Sequence, residues 1–378
     1  MEPSPDQLGP IAGLAEPGNV RWTMHGLMRR PELGALTGLV IVVFVFGIAT
    51  VFGYENPAMF EPLGLLNWAT VSAYLGVVSI GACLLMIAGE FDLSIGSMIA
   101  FSGMCMALLV DVGGLPPWLA ILIGIAIAVA IGAFIGFLVI RTGLPSFIVS
   151  LGFFFMLRGA TLVIARAFHD STQVGGLGDL KNTDFLAWLL GGDSLGFVFV
   201  WLARLGLIGT LGNGQPAVSG VPMIVFWWIV LGIGASIILT STRFGNWIFA
   251  TGGDRSAAKS AGIPVDRVRI QLFMFTAFCA AIFGAAQVFQ FGSADGNRGQ
   301  GKEFEAILAA VVGGAVLTGG YGSVIGAMIG AMVFAVVSQG FFYTTFLDGD
   351  FFRIFVGAVL LGSVIFNDQI RKQITGGR

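Results

Sequence analysis

The stretch that decides the fold is GLLNWATVSAYLGVVSIGACLLMIA, residues 64–88, which contains no charged side chain. A helix needs about 20 consecutive apolar residues to cross the hydrocarbon core of a bilayer. Similar apolar runs recur along most of the chain. The candidate spans are 33–52, 64–88, 94–110, 117–140, 146–166, 222–241, 268–291, 303–318, 324–346 and 351–367. The sequence therefore predicts an all-α polytopic membrane protein with about ten transmembrane helices.

The composition excludes most classes of soluble protein. Hydrophobic residues make up 56% of the chain and charged residues 11%, whereas a soluble domain is about 25% charged. The net charge of -2 excludes a basic nucleic-acid-binding protein. Cys83, Cys105 and Cys279 lie inside apolar runs and lack the spacing of zinc ligands, so no metal site is predicted.

The distribution of Lys and Arg predicts the orientation of the spans. With ten crossings, the segments on the side of the N-terminus carry more of these cations than the segments on the opposite side. Because cytoplasmic loops are enriched in Lys and Arg, both termini are predicted to be cytoplasmic. The domain boundaries are 1–32 for the N-terminal tail, 33–367 for the transmembrane domain and 368–378 for the C-terminal tail.

Two segments between spans stand out by length. Segment 167–221 is the largest on the outer side, and its apolar part 185–211 is interrupted by charges and glycines, which predicts helices lying at the outer surface. Segment 243–268 is the largest hydrophilic loop on the cytoplasmic side. Within it, Asp254 is placed to cap a short helix that Gly262 then ends. Such a helix is suited to dock in a groove on a partner, although a solvated loop that follows the positive-inside rule has the same composition.

Two stripes of small residues predict close helix packing, because helices in lipid associate where their backbones can approach. An alternative is a substrate path lined by bare backbone. The packing candidates are Gly124, Gly132 and Gly136 in one stripe, and Gly322, Gly326 and Gly330 in the other. The second stripe belongs to TGGYGSVIGAMIG around Gly326, which is similar to AGEFDLSIGSMIA around Gly96 and leaves an internal repeat open.

Four motifs, taken in order, resemble one family of transporters. They are GEFDLSIGS at 89–97, LPSFIVSLGFFFMLRG at 144–159, GGDRSAAKSAGI at 252–263 and EFEAILAAVVGGAVLTGGYGSVIGAMIGA at 303–331. Together they resemble the permease subunits of ribose/xylose/galactose-type ABC sugar importers, over about residues 60–370. The chain departs from the family pattern at Glu90, Phe91, Ala315 and Val316, and the last two leave the substrate open.

The resemblance implies a type II ABC importer-like permease in the bacterial inner membrane, with no enzymatic activity of its own. A second permease copy completes the path, a periplasmic sugar-binding protein docks on 167–221, and two cytoplasmic ABC ATPase subunits bind the loop 243–268. ATP and Mg²⁺ are bound by those ATPase subunits, so no cofactor is expected on this chain. The coupling residues that the resemblance implies are Asp254, Arg255, Ala257, Ala258, Lys259, Gly262 and Ile263.

Polar residues inside the spans are candidates for the path or for structural roles. Arg158 lies deep in a span, where an ionisable side chain needs a partner, and an ion pair with Glu303 or Glu305 is predicted. Sugars need amide and aromatic contacts with little charge, which favours the glutamines. The candidates are Asp92, Ser94, Arg158, Gln287, Gln290, Glu303, Glu305, Ser338 and Gln339.

The main alternative is an ion-coupled secondary transporter of small polar solutes, which would be expected to carry carboxylates near the membrane midplane. A membrane-embedded enzyme is disfavoured, because no catalytic motif is present. The loop GNRGQGKE at 296–303 resembles a phosphate-binding loop but has Glu303 where Ser or Thr is required. The sequence leaves the sugar, the pore-lining residues and the choice between a homodimer and a heterodimer undecided.

Overall fold

The computed structural model describes residues 31–53, 57–212, 214–344, 350–359 and 361–362. The predicted C-terminal tail 368–378 and most of the N-terminal tail 1–32 lie outside the described residues. Within them the chain is mainly helical, with two small antiparallel strand pairs. Strand β1 (Gln173–Val174) pairs with β4 (Ala294–Asp295), and β2 (Asp193–Ser194) pairs with β3 (Val221–Pro222).

The helices are named here in chain order. They are α1 (Pro31–Gly47), α2 (Pro62–Ile87), α3 (Ile95–Asp111), α4 (Pro117–Thr142), α5 (Ser146–His169), α6 (Leu180–Thr183), α7 (Phe185–Gly191), α8 (Gly196–Arg204), α9 (Met223–Ser241), α10 (Arg243–Gly253), α11 (Arg255–Ser260), α12 (Val265–Phe291), α13 (Lys302–Val312), α14 (Val324–Tyr343) and α15 (350–359). A π-helical turn, Ile48–Gly53, extends α1, and a 3₁₀ turn, Pro57–Phe60, precedes α2.

Seven of these helices are long and apolar enough to cross a membrane: α1 with its π turn, α2, α4, α5, α9, α12 and α14. Their presence agrees with a multi-pass membrane protein. The apolar helix α3 has 17 residues and is shorter than these. The described residues therefore do not establish the predicted count of about ten spans, nor the predicted side of each terminus.

The predicted span 303–318 is not one helix. Helix α13 has 11 residues and is only roughly 16 Å long, too short for a hydrocarbon core of about 30 Å. It ends at Gly313, and the following turn contains Gly314, Gly319 and Gly320 at positive φ. The prediction of one span treated Gly313 and Gly314 as part of the apolar run on either side of them.

The centre of the helix bundle is formed by α2 and α12, the two most deeply buried long helices. Helix α12 packs against α4, α3 and α2, and α14 packs against α2 and α1. Small buried residues such as Ala280, Ala281 and Ala285 let neighbouring helices approach α12 closely. The short helix α7 in the predicted outer segment also packs against α12, whereas Phe197 and Trp201 of α8 are exposed.

The glycine stripes lie at helix contacts. On α4, a methyl group at Gly132 would overlap the Phe273 carbonyl of α12, and Gly136 lies against Ile270 of the same helix. Gly124 faces the side chain of Met106 on α3.

The second stripe brings α13 and α14 together. Methyl groups at Gly326 and Gly330 would overlap the carbonyl oxygens of Gly313 and Ala309. Gly322 precedes α14, and a methyl group there would crowd Ile87 at the end of α2. The backbones therefore touch with no side chain between them.

We predict that Gly330→Ala lowers the melting temperature of the detergent-solubilised chain by several degrees, because the added methyl group forces α13 and α14 apart. The matched control is Gly234→Ala on α9, where nothing lies within 4 Å of the added carbon. Thermal unfolding followed by size-exclusion fluorescence measures both variants. Equal melting temperatures for the two variants would contradict the close α13–α14 contact.

Candidate functional site

Helix α3 begins part-way along its neighbour α5 and not level with the first residue of that helix. Its last residue, Asp111, lies 2.9 Å from Nδ1 of His169, the last residue of α5, so the two helices end at one level. The 17 residues of α3 span roughly 25 Å and the 24 residues of α5 roughly 36 Å. Since α3 runs beside α5, its first turn lies roughly 10 Å deeper than the first residue of α5.

An extended segment joins α2 to α3 across this depth. The amide of Phe91 donates to Ser146 Oγ (2.9 Å), and the amide of Leu93 donates to Ser150 Oγ (3.0 Å). Buried Asp92 accepts from the amide (2.8 Å) and the hydroxyl (2.6 Å) of Ser94, the residue before α3. Asp92 and Ser94, both predicted site residues, therefore form a tight turn that starts the helix.

The first turn of α13 meets the first turn of α3. A methyl group at Gly96 would overlap Glu303 Oε2 and the Gly299 carbonyl, so only glycine fits at this position. Helix α3 then runs toward His169, whereas α13 runs toward the turn that precedes α14. The two N-termini carry partial positive charge, which favours the nearby carboxylates of Asp92 and Glu303.

Arg158 does not form the predicted ion pair. Its Nη1 donates to the carbonyl oxygens of Gly296 (2.8 Å) and Arg298 (3.1 Å), in the loop between α12 and α13. Glu303 is near enough for its charge to interact with that of Arg158, but neither Glu303 nor Glu305 comes within 4.0 Å of it, and Glu305 pairs with Lys302 (2.5 Å). The loop between α12 and α13 lies against α5, and its carbonyl oxygens occupy the hydrogen-bonding positions of Arg158.

A polar and aromatic cluster surrounds the end of α12. The Tyr74 hydroxyl donates to Gln290 Oε1, and Arg298 donates from Nη1 to the backbone carbonyl of Gln287 (3.1 Å) and from Nη2 to Ser293 Oγ (2.8 Å). The Arg298 guanidinium carbon also lies 5.4 Å from the centre of the Phe291 ring. Aromatic faces, amides and a fixed donor group suit a ligand that carries many hydroxyls.

Sequence reasoning found only part of this cluster. Gln287 and Gln290 were predicted from their amides, whereas Tyr74 lies in an uninterrupted apolar run and Arg298 lies in the glycine-rich loop 296–303. The loop 296–303 could have indicated Arg298, because it places this cation next to the end of a predicted span. Ser338 and Gln339 are half-buried on α14, and the described structure has no hydrogen bond from either of them to this cluster.

Helix α11 occupies the predicted cytoplasmic loop. Asp254 Oδ1 accepts from the amides of Ser256 (2.9 Å) and Ala257 (3.0 Å) and from the Ser256 hydroxyl (2.7 Å). Gly262, at φ 81°, turns the chain after the helix. The hydrogen bond from the Ala257 amide, and then those from Ser256, lower the pKa of the Asp254 carboxyl.

A lowered pKa fixes the pH range of this cap. A carboxylate whose folded pKa is depressed stabilises the fold fully above its ordinary pKa of about 3.9 and loses that effect as the pH falls through the lowered value. The capped state of α11 is therefore independent of Asp254 titration between about pH 5 and pH 8.

Not all of the coupling residues that the resemblance implies are exposed. Ala258 is only 4% exposed and packs inward, so it supports the helix from within. Ala257, Lys259 and Gly262 are exposed, and so is Ala261, which follows the helix. Lys259 also lies 3.2 Å from Asp266 at the start of α12. The remaining predicted coupling residue, Ile263, is half-buried.

In the described part of the chain no group of three His, Cys, Asp or Glu side chains is arranged to hold a metal ion. The chemistry that the described contacts support is binding and movement, carried by the cluster at the end of α12 and by α11.

Comparison with known proteins gives a consistent family. Residues 64–364 match the family described as branched-chain amino acid transport system / permease component. The ribose import permease protein RbsC of Bacillus subtilis (strain 168) is 29% identical over 315 residues, which cover 83% of this chain and 85% of the relative. RbsC of Escherichia coli (strain K12) is 28% identical over 323 residues, covering 85% and 88%.

A third relative, the xylose transport system permease protein XylH of Escherichia coli (strain K12), is 28% identical over 385 residues and covers 91% of this chain and 96% of its own length. No solved structure matches the chain. With the seven apolar helices, these matches confirm the prediction of a multi-pass inner-membrane protein.

We predict that Asp254→Ala frays α11 and raises amide hydrogen exchange at Ser256 and Ala257 about fivefold, because both amides lose their acceptor. Asp254→Asn is the matched control, since an asparagine oxygen caps a helix equally well. Exchange measured by mass spectrometry at pH 7 tests both variants. Fast exchange in the asparagine variant would show that the charge, and not the cap, holds the helix.

We also predict that Arg158→Met lowers the melting temperature by several degrees, because two carbonyl oxygens lose a charged donor. Exposed Arg166 on the same helix supplies the control variant Arg166→Met. Adding Glu303→Gln to Arg158→Met should not restore the melting temperature. A restored melting temperature in the double variant would instead support a direct ion pair between Arg158 and Glu303.

Proposed function

The chain belongs to the family of branched-chain amino acid transport system permease components, and from this premise we propose that it is the integral-membrane permease subunit of a binding-protein-dependent ABC importer. In this role it forms the translocation path for a monosaccharide or a related polyol. The relatives named as ribose and xylose permeases, which resemble the chain over most of its length, support that substrate class. Separate cytoplasmic subunits bind ATP and Mg²⁺ and hydrolyse the nucleotide.

The observation that carries the proposal is the short capped helix between two long spans. Helix α11 follows α9 and α10, precedes α12 and presents Ala257, Lys259 and Ala261 to solvent. Ala257 and Ala261 are four residues apart and lie on the same side of the helix, so they form a surface of small residues that suits a groove on another protein. We assign this surface to the contact with the ATPase subunits, supported from within by Ala258.

The remaining partners follow from the same role. Segment 167–221 is the docking surface for a periplasmic sugar-binding protein, and a second copy of the chain completes the path. The cluster of Tyr74, Gln290 and Arg298 is the part of the path that meets the sugar, and it is supported by Phe291, which is 57% exposed at the end of α12.

A second candidate function rests on Glu303. This carboxylate is 3% exposed, and its Oε2 has no hydrogen-bond partner within the described structure. A buried carboxylate in a transporter is a candidate for carrying a proton or a cation. An ion-coupled secondary transporter is therefore the alternative, and Glu303→Gln would abolish its uptake while leaving ATP-driven uptake intact.

We predict that the chain, purified with its bound subunits and reconstituted in liposomes, takes up labelled ribose or xylose only when ATP is supplied to the ATPase side. Dissipating proton and sodium gradients should leave uptake unchanged. Labelled leucine tests the substrate that the family description names. Uptake by the isolated chain on an ion gradient alone would overturn the ABC assignment, and uptake of leucine but neither sugar would overturn the substrate class.

The same preparation tests the docking surface. Ala261→Glu places a charge on the exposed face of α11 and should release the ATPase subunits while leaving the melting temperature of the chain unchanged. Ala261→Ser keeps the residue small and should retain them. Retention of the ATPase subunits by Ala261→Glu would place their contact elsewhere.

A further inference from the structure

Glu90 connects the cytoplasmic helix α11 to the interior of the membrane domain. It lies in the turn after α2 and is 2% exposed. Its Oε1 lies 2.5 Å from Nη2 of Arg255, the first residue of α11, and 2.6 Å from Nε of Arg269 on α12. The same Nη2 donates to the Gly89 carbonyl (2.8 Å). One buried carboxylate is therefore shared by three parts of the fold.

Because Glu90 is a buried acidic residue, it requires its contacts with Arg255 and Arg269. A buried carboxylate is strongly unfavourable unless cations accompany it. Arg269 is itself almost buried, whereas the Arg255 side chain is 45% exposed and lies on the surface helix. When α11 moves, Glu90 must follow Arg255 or lose one of its two cations.

The backbone around Glu90 transmits such a movement directly. A methyl group at Gly319 would touch Gly89 and the Gly252 carbonyl, so three backbone segments meet here with no side chain between them. The amide of Gly320 also donates to the Ile87 carbonyl (2.8 Å). The end of α10, the end of α2 and the turn before α14 therefore form one junction beneath α11.

The other side of Glu90 leads to the broken helix. Four residues separate it from Ile95, and this extended segment is held by the hydroxyls of Ser146 and Ser150 on α5. Beyond it, Gly96 of α3 rests on Glu303 of α13. A displacement of Glu90 therefore reaches the first turns of both short helices without crossing a flexible loop.

We propose that Glu90 is a positioning residue that couples the movement of α11 to the movement of α3, so that ATPase closure alters the path at the junction of α3 and α13. The inference rests on the proposed function, because it needs an ATPase that moves α11. Glu90 touches neither the substrate nor the nucleotide. It acts through Arg255 on one side and through the segment 91–94 on the other.

The test measures coupling and not activity alone. The wild-type complex and its Glu90→Gln variant are reconstituted in liposomes, and uptake of labelled ribose, or of xylose where the wild type prefers it, is measured with ATP hydrolysis in the same vesicles. The variant should keep its ATPase subunits and continue to hydrolyse ATP. Sugar taken up per ATP hydrolysed should fall about tenfold or more, since hydrolysis no longer moves α3.

Two further variants separate transmission from stability. Arg255→Gln removes the same contact from the α11 side, and the double variant with Glu90→Gln should show no larger loss of coupling than Glu90→Gln alone. Arg267→Gln is the control, because Arg267 is exposed two residues before Arg269 and makes no ion pair in the described structure. It should keep the wild-type ratio of uptake to hydrolysis.

The outcomes distinguish this inference from the function on which it rests. Glu90→Gln with a wild-type ratio, or with a lower melting temperature and an unchanged ratio, overturns the transmission role. Should Glu90→Gln fail to insert, Arg255→Gln replaces it, and an unchanged ratio in that variant overturns the role equally. A wild-type chain that binds no ATPase subunit overturns the proposed function instead.

Discussion

The structure depends on how it satisfies backbone groups where helices break inside the membrane. Lipid offers no hydrogen bonds, so an extended segment at that depth requires protein partners for its amides and carbonyls. Helix α5 supplies them at both breaks. Its Ser146 and Ser150 accept from the amides of the segment between α2 and α3, and its Arg158 donates to two carbonyls of the loop between α12 and α13. Removing these side chains would leave both breaks without their partners.

With the backbone groups at both breaks hydrogen-bonded, helices α3 and α13 begin side by side and then diverge. Their N-termini concentrate partial positive charge in a region of low dielectric constant, and the buried side chains of Asp92 and Glu303 lie beside them. The contact is close because residue 96 is glycine. Packing and hydrogen bonding thus meet at one point, where a shift of the two short helices can leave the contacts of the long helices in place.

The sequence predicted the features that depend on the length and apolarity of a segment. It did not predict the contacts between residues that are distant in the chain. The long helices follow from uncharged runs such as 64–88, and the cap at Asp254 follows from its position before a short run of helix formers. The end of α13 at Gly313 was missed, because apolar residues continue beyond it. The ion pair of Arg158 was predicted wrongly, because a charge search cannot anticipate backbone carbonyls as partners. Ala258 was included among the coupling residues because the family resemblance covers the whole loop, and a resemblance does not show that this side chain is buried.

The similarity between the segments around Gly96 and Gly326 has a physical counterpart at the junction beneath α11. The second residues of the two strings are Gly89 and Gly319, both have positive φ, and the two residues are in contact. Each ends a turn that follows one helix and precedes the next, and each must let another backbone approach without a side chain. Only glycine meets both conditions at low energy. The shared requirement explains the matched glycines, whether or not the two halves have a common origin. At the junction beneath α11 the backbones are therefore in direct contact, with no side chain between them to rearrange.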